Sequence, residues 1–256
     1  MPGLPAIPDR DLVASVEKGL GVIEAFSEAR PRLSVTDVAT VTGLTRAAAR
    51  RYLLTLAKLG YADFDGKFFS LTPRILRLGH AYLSSTGLPR MVQPFLEQIS
   101  TATGESSSAA ILDDTEIVYV ARAATRRIMS INLAVGSRLP AYCTSLGRAL
   151  LAQMPDANVE DYLRRAELRA LTPKTKTKRD AILAALAETR KKGYALVDEE
   201  LELGLRSLSV PLFDGRGAVI AAMNVSAQVA RVTAAGMVRD MLPHLIAAQG
   251  ALRRIA

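Results

Sequence analysis

Side chains able to do acid–base or nucleophilic chemistry are few and scattered in this chain. There are two histidines, His80 and His244, and one cysteine, Cys143. The histidines fall in segments read below as helices, and both are expected to be structural. Cys143 has no histidine at a fixed spacing to activate it. Asp198, Glu199, Glu200 and Glu202 could act as general bases, but such an acidic run is expected to be a solvated loop. No glycine loop of the phosphate-cradling type and no metal-spaced set of histidines and carboxylates is present. No catalytic residue, metal or cofactor is therefore expected. The chemistry these residues do support is charge recognition, and it centres on Arg46, Arg50 and Arg51.

The stretch 44–56 predicts a helix with two unlike halves. Its first half is small and basic, with Thr45 placed to cap it, Arg46 and Arg50 one turn apart, and Ala47 and Arg51 likewise. Leu53, Leu56 and Leu59 continue at helical spacing and predict burial against other helices. A protruding helix start, thinned by alanines and carrying arginines, fits the DNA major groove. Between Thr45 and Arg77, seven basic residues face only Asp63 and Asp65, so this segment carries +5 of the chain's +8. Neutralising phosphates is the sequence-independent part of DNA affinity, and a cluster around one helix supplies it.

The flanking elements position that helix. Val16, Leu20, Ile23 and Phe26 predict a first helix with one apolar stripe. Ser34 and Asp37 have the spacing of a capping box opening a second helix. Gly43 suits the left-handed residue that ends it, and Thr45 then starts the Arg-bearing helix, giving a helix-turn-helix. Asp65-Gly66 between aromatic arms predicts a hairpin wing with Lys67 at or beside its tip. Ser34, Thr45, Arg46, Ala47, Arg50, Arg51 and Lys67 are the DNA-contact candidates. Thr72-Pro73 caps a linker helix over 73–85, whose Ile75, Leu78 and Tyr82 would either make a dimer seam or pack on the wing.

Beyond a break at 84–89, the pattern predicts a helix over 91–103 and strands over 107–112, 116–123 and 128–135. Thr144 or Ser145 would cap a helix whose free N–H groups could receive an anion. Helices over 156–165 and 180–192, a strand over 194–198, a hairpin of 205–213 with 218–225, and one final helix over 233–255 complete an α/β sensor domain. Lys174, Lys176, Lys178 and Arg179 are expected to be a solvated face.

With 256 residues, 49% of them hydrophobic and 23% charged, the chain has room for two small domains. The single cysteine excludes an internal disulfide and suggests a reducing compartment. Asp9, Arg10 and Asp11 interrupt any signal-peptide pattern, and no stretch has the apolar length of a membrane span. A cytoplasmic location is expected.

Both halves resemble the IclR family of bacterial transcriptional regulators. The carboxy-terminal signature reads Gly193, Glu200, Ser207-Leu208-Ser209 and Leu212-Phe213-Asp214. Residues 44–51, Val118-Tyr119-Val120-Ala121-Arg122, Pro140-Ala141-Tyr142 and 200–207 look like the branch controlling aromatic-acid catabolism through the β-ketoadipate (protocatechuate/4-hydroxybenzoate) pathway. The resemblance implies an α+β chain. A disordered tail over 1–10 would precede a winged helix-turn-helix over 11–72, a linker helix over 73–88, and a GAF-like effector-binding and oligomerisation domain over 89–256. It implies double-stranded promoter DNA and a small organic acid, in particular an aromatic one, as partners of a homodimer or dimer of dimers. In the family, small acids contact positions matching Ser145, Leu146, Ser207, Asn224 and Ser226. Val197 stands where the family often places Asp or Ser, which makes that corner apolar and suits an aromatic ring. Tyr119, Met129 and Tyr142 are further wall candidates, with core packing as the alternative. The competing reading is a small-molecule enzyme that carries a regulatory DNA-binding domain.

Overall fold

The computed structural model describes residues 8–125 and 133–255. Residues 1–7 of the predicted tail, most of the predicted 128–135 strand, and Met129 lie outside the described residues. The chain divides into two compact units, residues 1–82 and 83–256.

The first unit contains α1 (Ala14–Glu24), α2 (Val35–Thr42), α3 (Arg46–Lys58), β1 (Ala62–Phe64) and β2 (Phe69–Leu71). A short 3-10 turn over Pro73–Ile75 then leads into α4 (Leu76–Ser85). Local chemistry sets the angle between α2 and α3. The Ser34 hydroxyl accepts from the Asp37 N–H while the Ser34 N–H donates to the Asp37 carboxylate at 2.8 Å, so α2 opens on a complete capping box. Gly43 takes φ 69° and ends the helix, and the Thr45 hydroxyl accepts from the Ala48 N–H at 3.2 Å to begin α3. Val22, Ala25, Leu33, Val38, Ala49, Leu53 and Phe69 form the core.

The burial differs from the sequence pattern at three places. In α1 the buried residues are Val22 and the following Ala25, while Val16 and Leu20 are 58% and 48% exposed, because only the end of the helix meets this core. Leu59 is exposed as well, since it caps α3 rather than continuing it. In α4, Leu76, Leu78 and Tyr82 are all exposed.

The second unit begins with α5 (Leu88–Thr103), β3 (Ser106–Asp113), β4 (Glu116–Ala123) and β5 (Arg138–Pro140). It continues through α6 (Ser145–Leu151), α7 (Asp156–Arg165), α8 (Arg179–Lys192), β6 (Ala195–Asp198), β7 (Leu205–Phe213) and β8 (Val219–Gln228), and ends with α9 (Ala234–Asp240) and α10 (Leu242–Leu252). Six antiparallel strands lie in the order β5-β4-β3-β8-β7-β6. One face packs on α5, α9 and α10, with Val92, Leu96, Leu212, Met223 and Leu245 in the contact. The other packs on α6, α7 and α8 through Ile117, Leu146, Leu151, Tyr162 and Ile182. The whole is an α+β chain. The predicted single helix over 233–255 is two helices, because Pro243 lacks an N–H and fits only the first turn of α10.

One irregularity decides which side chains reach the α6 face. Along β3 and β4, Ala109 pairs with Ala121 but Ala110 pairs with Tyr119, leaving Val120 as an extra residue. This bulge inverts the alternation, so Tyr119 and Arg122, three apart, face the same side.

α6 approaches the chain before it closely. A Cβ on Gly147 would fall inside van der Waals contact with the Ala141 backbone, which cannot yield as a side-chain tip would. Gly147→Ala is expected to lower unfolding free energy by about 3 kcal/mol. In urea titrations, Gly79→Ala serves as the control, since open space surrounds that helical position and the change should be neutral or stabilising.

Candidate effector pocket and DNA interface

On the first unit, α3 presents its basic half outward. Arg46, Arg50 and Arg51 are exposed and take part in no ion pair among the described residues, so their full charge is available to phosphate or base edges. Thr45 is committed to its cap and Ser34 to its capping box, while Ala47 lies exposed beside the arginines. The wing is held by its own aspartate. Asp65 accepts the backbone N–H groups of Phe68 at 2.8 Å and Lys67 at 2.9 Å, and these bonds hold its carboxyl below the usual range. Arg32 pairs with the same carboxylate and lies 5.3 Å from the Phe68 ring centroid; Lys67 lies 5.1 Å from it on the same wing. Sequence reasoning missed Arg32, which is remote from the wing in the chain but neutralises its acid.

On the second unit, one cavity opens between the start of α6 and the sheet. Tyr119, Ser145, Leu146, Ser207, Asn224 and Ser226, all expected at an effector site, surround it. Val197, Leu201, Leu205 and Leu133 add apolar wall, and Arg122, Cys143 and Thr144 complete it. Tyr142, a second of the three expected wall residues, is fully buried in the core and not at the cavity; its hydroxyl donates to the Arg169 carbonyl at 2.6 Å. Core packing is therefore its role.

The polar side chains of the cavity form one hydrogen-bonded cluster. The Ser145 and Ser207 hydroxyls are 2.7 Å apart, joining α6 to β7. Asn224 Nδ2 donates to Ser207 Oγ at 2.9 Å and to Ser226 Oγ at 3.1 Å. Thr144 does the capping of α6, accepting from the Gly147 N–H at 3.1 Å, so the Ser145 hydroxyl bonds Ser207 at the cavity instead of capping the helix. Desolvation pushes the Tyr119 hydroxyl up to about 12 and the Cys143 thiol up to about 12, so both remain protonated at neutral pH. A protonated buried thiol is a poor nucleophile.

Behind this cluster lies a buried ion pair. Arg148 donates Nη1 to Glu200 Oε1 at 2.7 Å, Nη2 to Glu200 Oε2 at 2.5 Å, and Nε to the Tyr142 carbonyl at 2.9 Å. Both side chains are 3% exposed. The acidic run is thus not a solvated loop at its centre. Nor is the lysine run simply solvated: Lys176 bonds Glu200 through its backbone N–H and Nζ, Lys174 pairs with Glu199, and Arg179 with Glu160. The spacing of these residues in sequence carries no signal for this, since the partners come from separate loops.

A winged helix-turn-helix with free arginines at its reading helix, carried on one chain with a domain built around an enclosed polar–apolar cavity, defines a ligand-responsive DNA-binding regulator. The chain matches the bacterial transcriptional regulator IclR C-terminal domain over residues 80–253 and the IclR helix-turn-helix domain over residues 15–66, and it belongs to the IclR family. It is 47% identical over 241 residues to the Pca regulon regulatory protein of Pseudomonas putida, covering 94% of this chain and 83% of that one. A transcriptional regulator from Rhodococcus sp. RHA1 matches at a TM-score of 0.81 and 44% identity, over 95% of this chain and 98% of that chain. The inducer-binding domain of a double mutant of the Acinetobacter PobR transcription factor, solved with 3-hydroxybenzoic acid, matches at a TM-score of 0.63 and 32% identity, over 66% of this chain and 98% of that chain. Among the described residues, no helix is long and apolar enough to cross a membrane, and no cluster of side chains could hold a metal ion.

The ion pair predicts a pH signature. Burial raises the Glu200 carboxyl, but the hydrogen bonds and charge of Arg148, with Lys176, outweigh it and leave the pKa below its ordinary value. A depressed carboxyl contributes stability that is present above its unfolded pKa, about 4.3, and is lost as pH falls through the folded value. Glu200→Gln strands a buried guanidinium and should cost about 3 kcal/mol at pH 7. Urea titrations across pH should show the gap to wild type closing below about pH 4.

Proposed function

We propose that this regulator controls genes of aromatic-acid catabolism in the cytoplasm, reading promoter DNA as a dimer or dimer of dimers and binding a small aromatic acid in the α6 cavity. The observation that carries the reading is the cavity's make-up. Val197, Leu201, Leu205 and Leu146 offer apolar walls suited to a ring, and Ser145, Ser207, Asn224 and Ser226 offer hydrogen bonds to its polar substituents. The PobR inducer-binding domain solved with 3-hydroxybenzoic acid points to the same ligand class. Leu12, Val13, Val16 and Leu20 around α1, with Leu76, Leu78 and Tyr82 on α4, are exposed apolar residues that support pairing of two copies. In such a dimer Arg46, Arg50, Arg51 and Lys67 contact groove or phosphates, with Ser34, Thr45 and Ala47 at the helix starts beside them.

Calorimetry of the full chain with protocatechuate, 4-hydroxybenzoate and β-ketoadipate tests the effector half. At least one should bind, and Ser145→Glu should weaken it tenfold or more; undiminished binding would remove Ser145 from the site. For the DNA half, fragments retained by the protein are sequenced and rebound across a salt series. Arg50→Ala should lower affinity about tenfold and make the salt slope shallower by about 1. An unchanged affinity for a specific fragment would remove Arg50 from the interface.

A further inference from the structure

The row of the sheet that crosses the cavity begins with a cation. Arg122 on β4, Ser108 on β3 and Asn224 on β8 are direct cross-strand partners, so they share a face. Arg122 reaches that face only through the bulge at Val120. Its Nη1 donates to Ser108 Oγ at 3.0 Å, and the Ser108 N–H donates to Asn224 Oδ1 at 3.1 Å. Through Asn224 the line continues to Ser207 and ends at Ser145 on α6. Its two ends differ in kind. One is a full positive charge, and the other is a group of neutral hydroxyls.

A guanidinium has five N–H donors, and among the described residues Ser108 is the one acceptor of Arg122's side chain. The two arginines that are fully buried among the described residues of this domain each have a carboxylate: Arg148 has Glu200 and Arg206 has Asp198. Arg122 is half-buried, lines the cavity, and has none among the described residues. Burial draws its pKa below the ordinary value, and the neighbouring Tyr119 hydroxyl offsets that only in part.

We propose that Arg122 is the carboxylate receptor of this cavity, and that the effector is a small organic acid held with its carboxylate on Arg122 and a hydroxyl or keto oxygen on Ser145, Ser207 and Ser226. The assignment rests on the acid-effector reading above and adds an orientation to it. The guanidinium fork matches a carboxylate in two parallel hydrogen bonds and adds a full positive charge, which the start of the seven-residue α6 and the hydroxyl cluster lack. The reverse orientation would place the acid among neutral hydroxyls and leave the half-buried cation unpaired.

Calorimetry with protocatechuate, 4-hydroxybenzoate and β-ketoadipate is run on wild type, Arg122→Gln and Arg122→Lys, together with the carboxamide of whichever acid binds. Arg122→Gln should weaken the acid about thirtyfold or more. Arg122→Lys should recover part of that loss, and wild type should bind the carboxamide far more weakly than the acid. Acid affinity in Arg122→Gln within threefold of wild type would overturn the assignment, as would equal affinity of wild type for acid and amide. The acid–amide comparison needs no variant, so it decides the matter if Arg122→Gln fails to fold. Absence of binding by all three acids would overturn the acid-effector reading itself, whereas acid binding indifferent to Arg122 overturns only the receptor assignment.

Discussion

The effector domain depends on a guanidinium that cannot leave its carboxylate. Arg148 sits on α6, Glu200 on the loop between β6 and β7, and the same carboxylate receives the Lys176 N–H at 3.0 Å and Nζ at 2.7 Å. The Thr175 hydroxyl donates to the Glu200 carbonyl and the Thr172 hydroxyl to that of Glu199, both at 2.6 Å. Two separate segments, the β6–β7 loop and residues 172–176, are thereby fixed to one short helix. A buried pair of this kind adds little net stability over an apolar substitute, because desolvation consumes most of the attraction. Breaking it is another matter, since each separated partner is left charged in a poor solvent. Its contribution is therefore to geometry: it places the start of α6 against the sheet and so defines the cavity.

That fixed end has a consequence for how a ligand enters. The cavity's free volume is about 30 Å³, room for a water or two but not for a benzene ring. For the aromatic acid proposed above to bind here, something must yield. The Arg148–Glu200 side is the costliest to open. The Ser145–Ser207 contact is a single neutral hydrogen bond, worth about 1 kcal/mol, and a ligand hydroxyl can replace it in kind. Leu201 lines the cavity on a loop that ends at Gly204, where a φ of 82° already turns the chain. Opening at the Ser145–Ser207 contact thus costs least, while the Arg148–Glu200 pair keeps the β6–β7 loop on α6.

How far the sequence alone reaches differs between the two domains for a physical reason. The DNA-reading unit is specified by neighbours in the chain: Ser34 with Asp37, Gly43 before Thr45, Asp65 before Gly66. Each is a local hydrogen-bond or backbone requirement, and the caps and the turn form where the spacing places them. Serines and Asn224 at the cavity follow from family likeness rather than local pattern. Arg122 does not follow at all, because strict alternation from Tyr119 assigns it to the opposite face and only the extra residue Val120 reverses that. Glu200 and Lys176 read as surface residues for the same kind of reason, since a buried ion pair between two loops leaves no periodicity. Val16 and Leu20 fail in the other direction. Their apolar stripe is real, but this unit offers nothing for it to cover.

The placement of the three exposed arginines constrains what an effector can control. Arg46, Arg50 and Arg51 stand on a helix whose cap, turn and core belong entirely to residues 1–82, and none of the cavity's residues contributes to that core. A ligand in the cavity therefore touches none of the residues that build the core under one reading helix. It can alter how two readers are spaced, if the exposed faces of α1 and α4 join two copies as proposed above. Coupling free energies between sites are typically about 1–3 kcal/mol, a 5- to 150-fold change in affinity. That is comparable to the loss of one or two good base or phosphate contacts, far less than the whole interface. A small misfit between two half-sites is enough to produce it. In the dimer proposed above, the arginines need not be withdrawn from the groove for the regulator to respond; one copy need only meet its half-site slightly out of register.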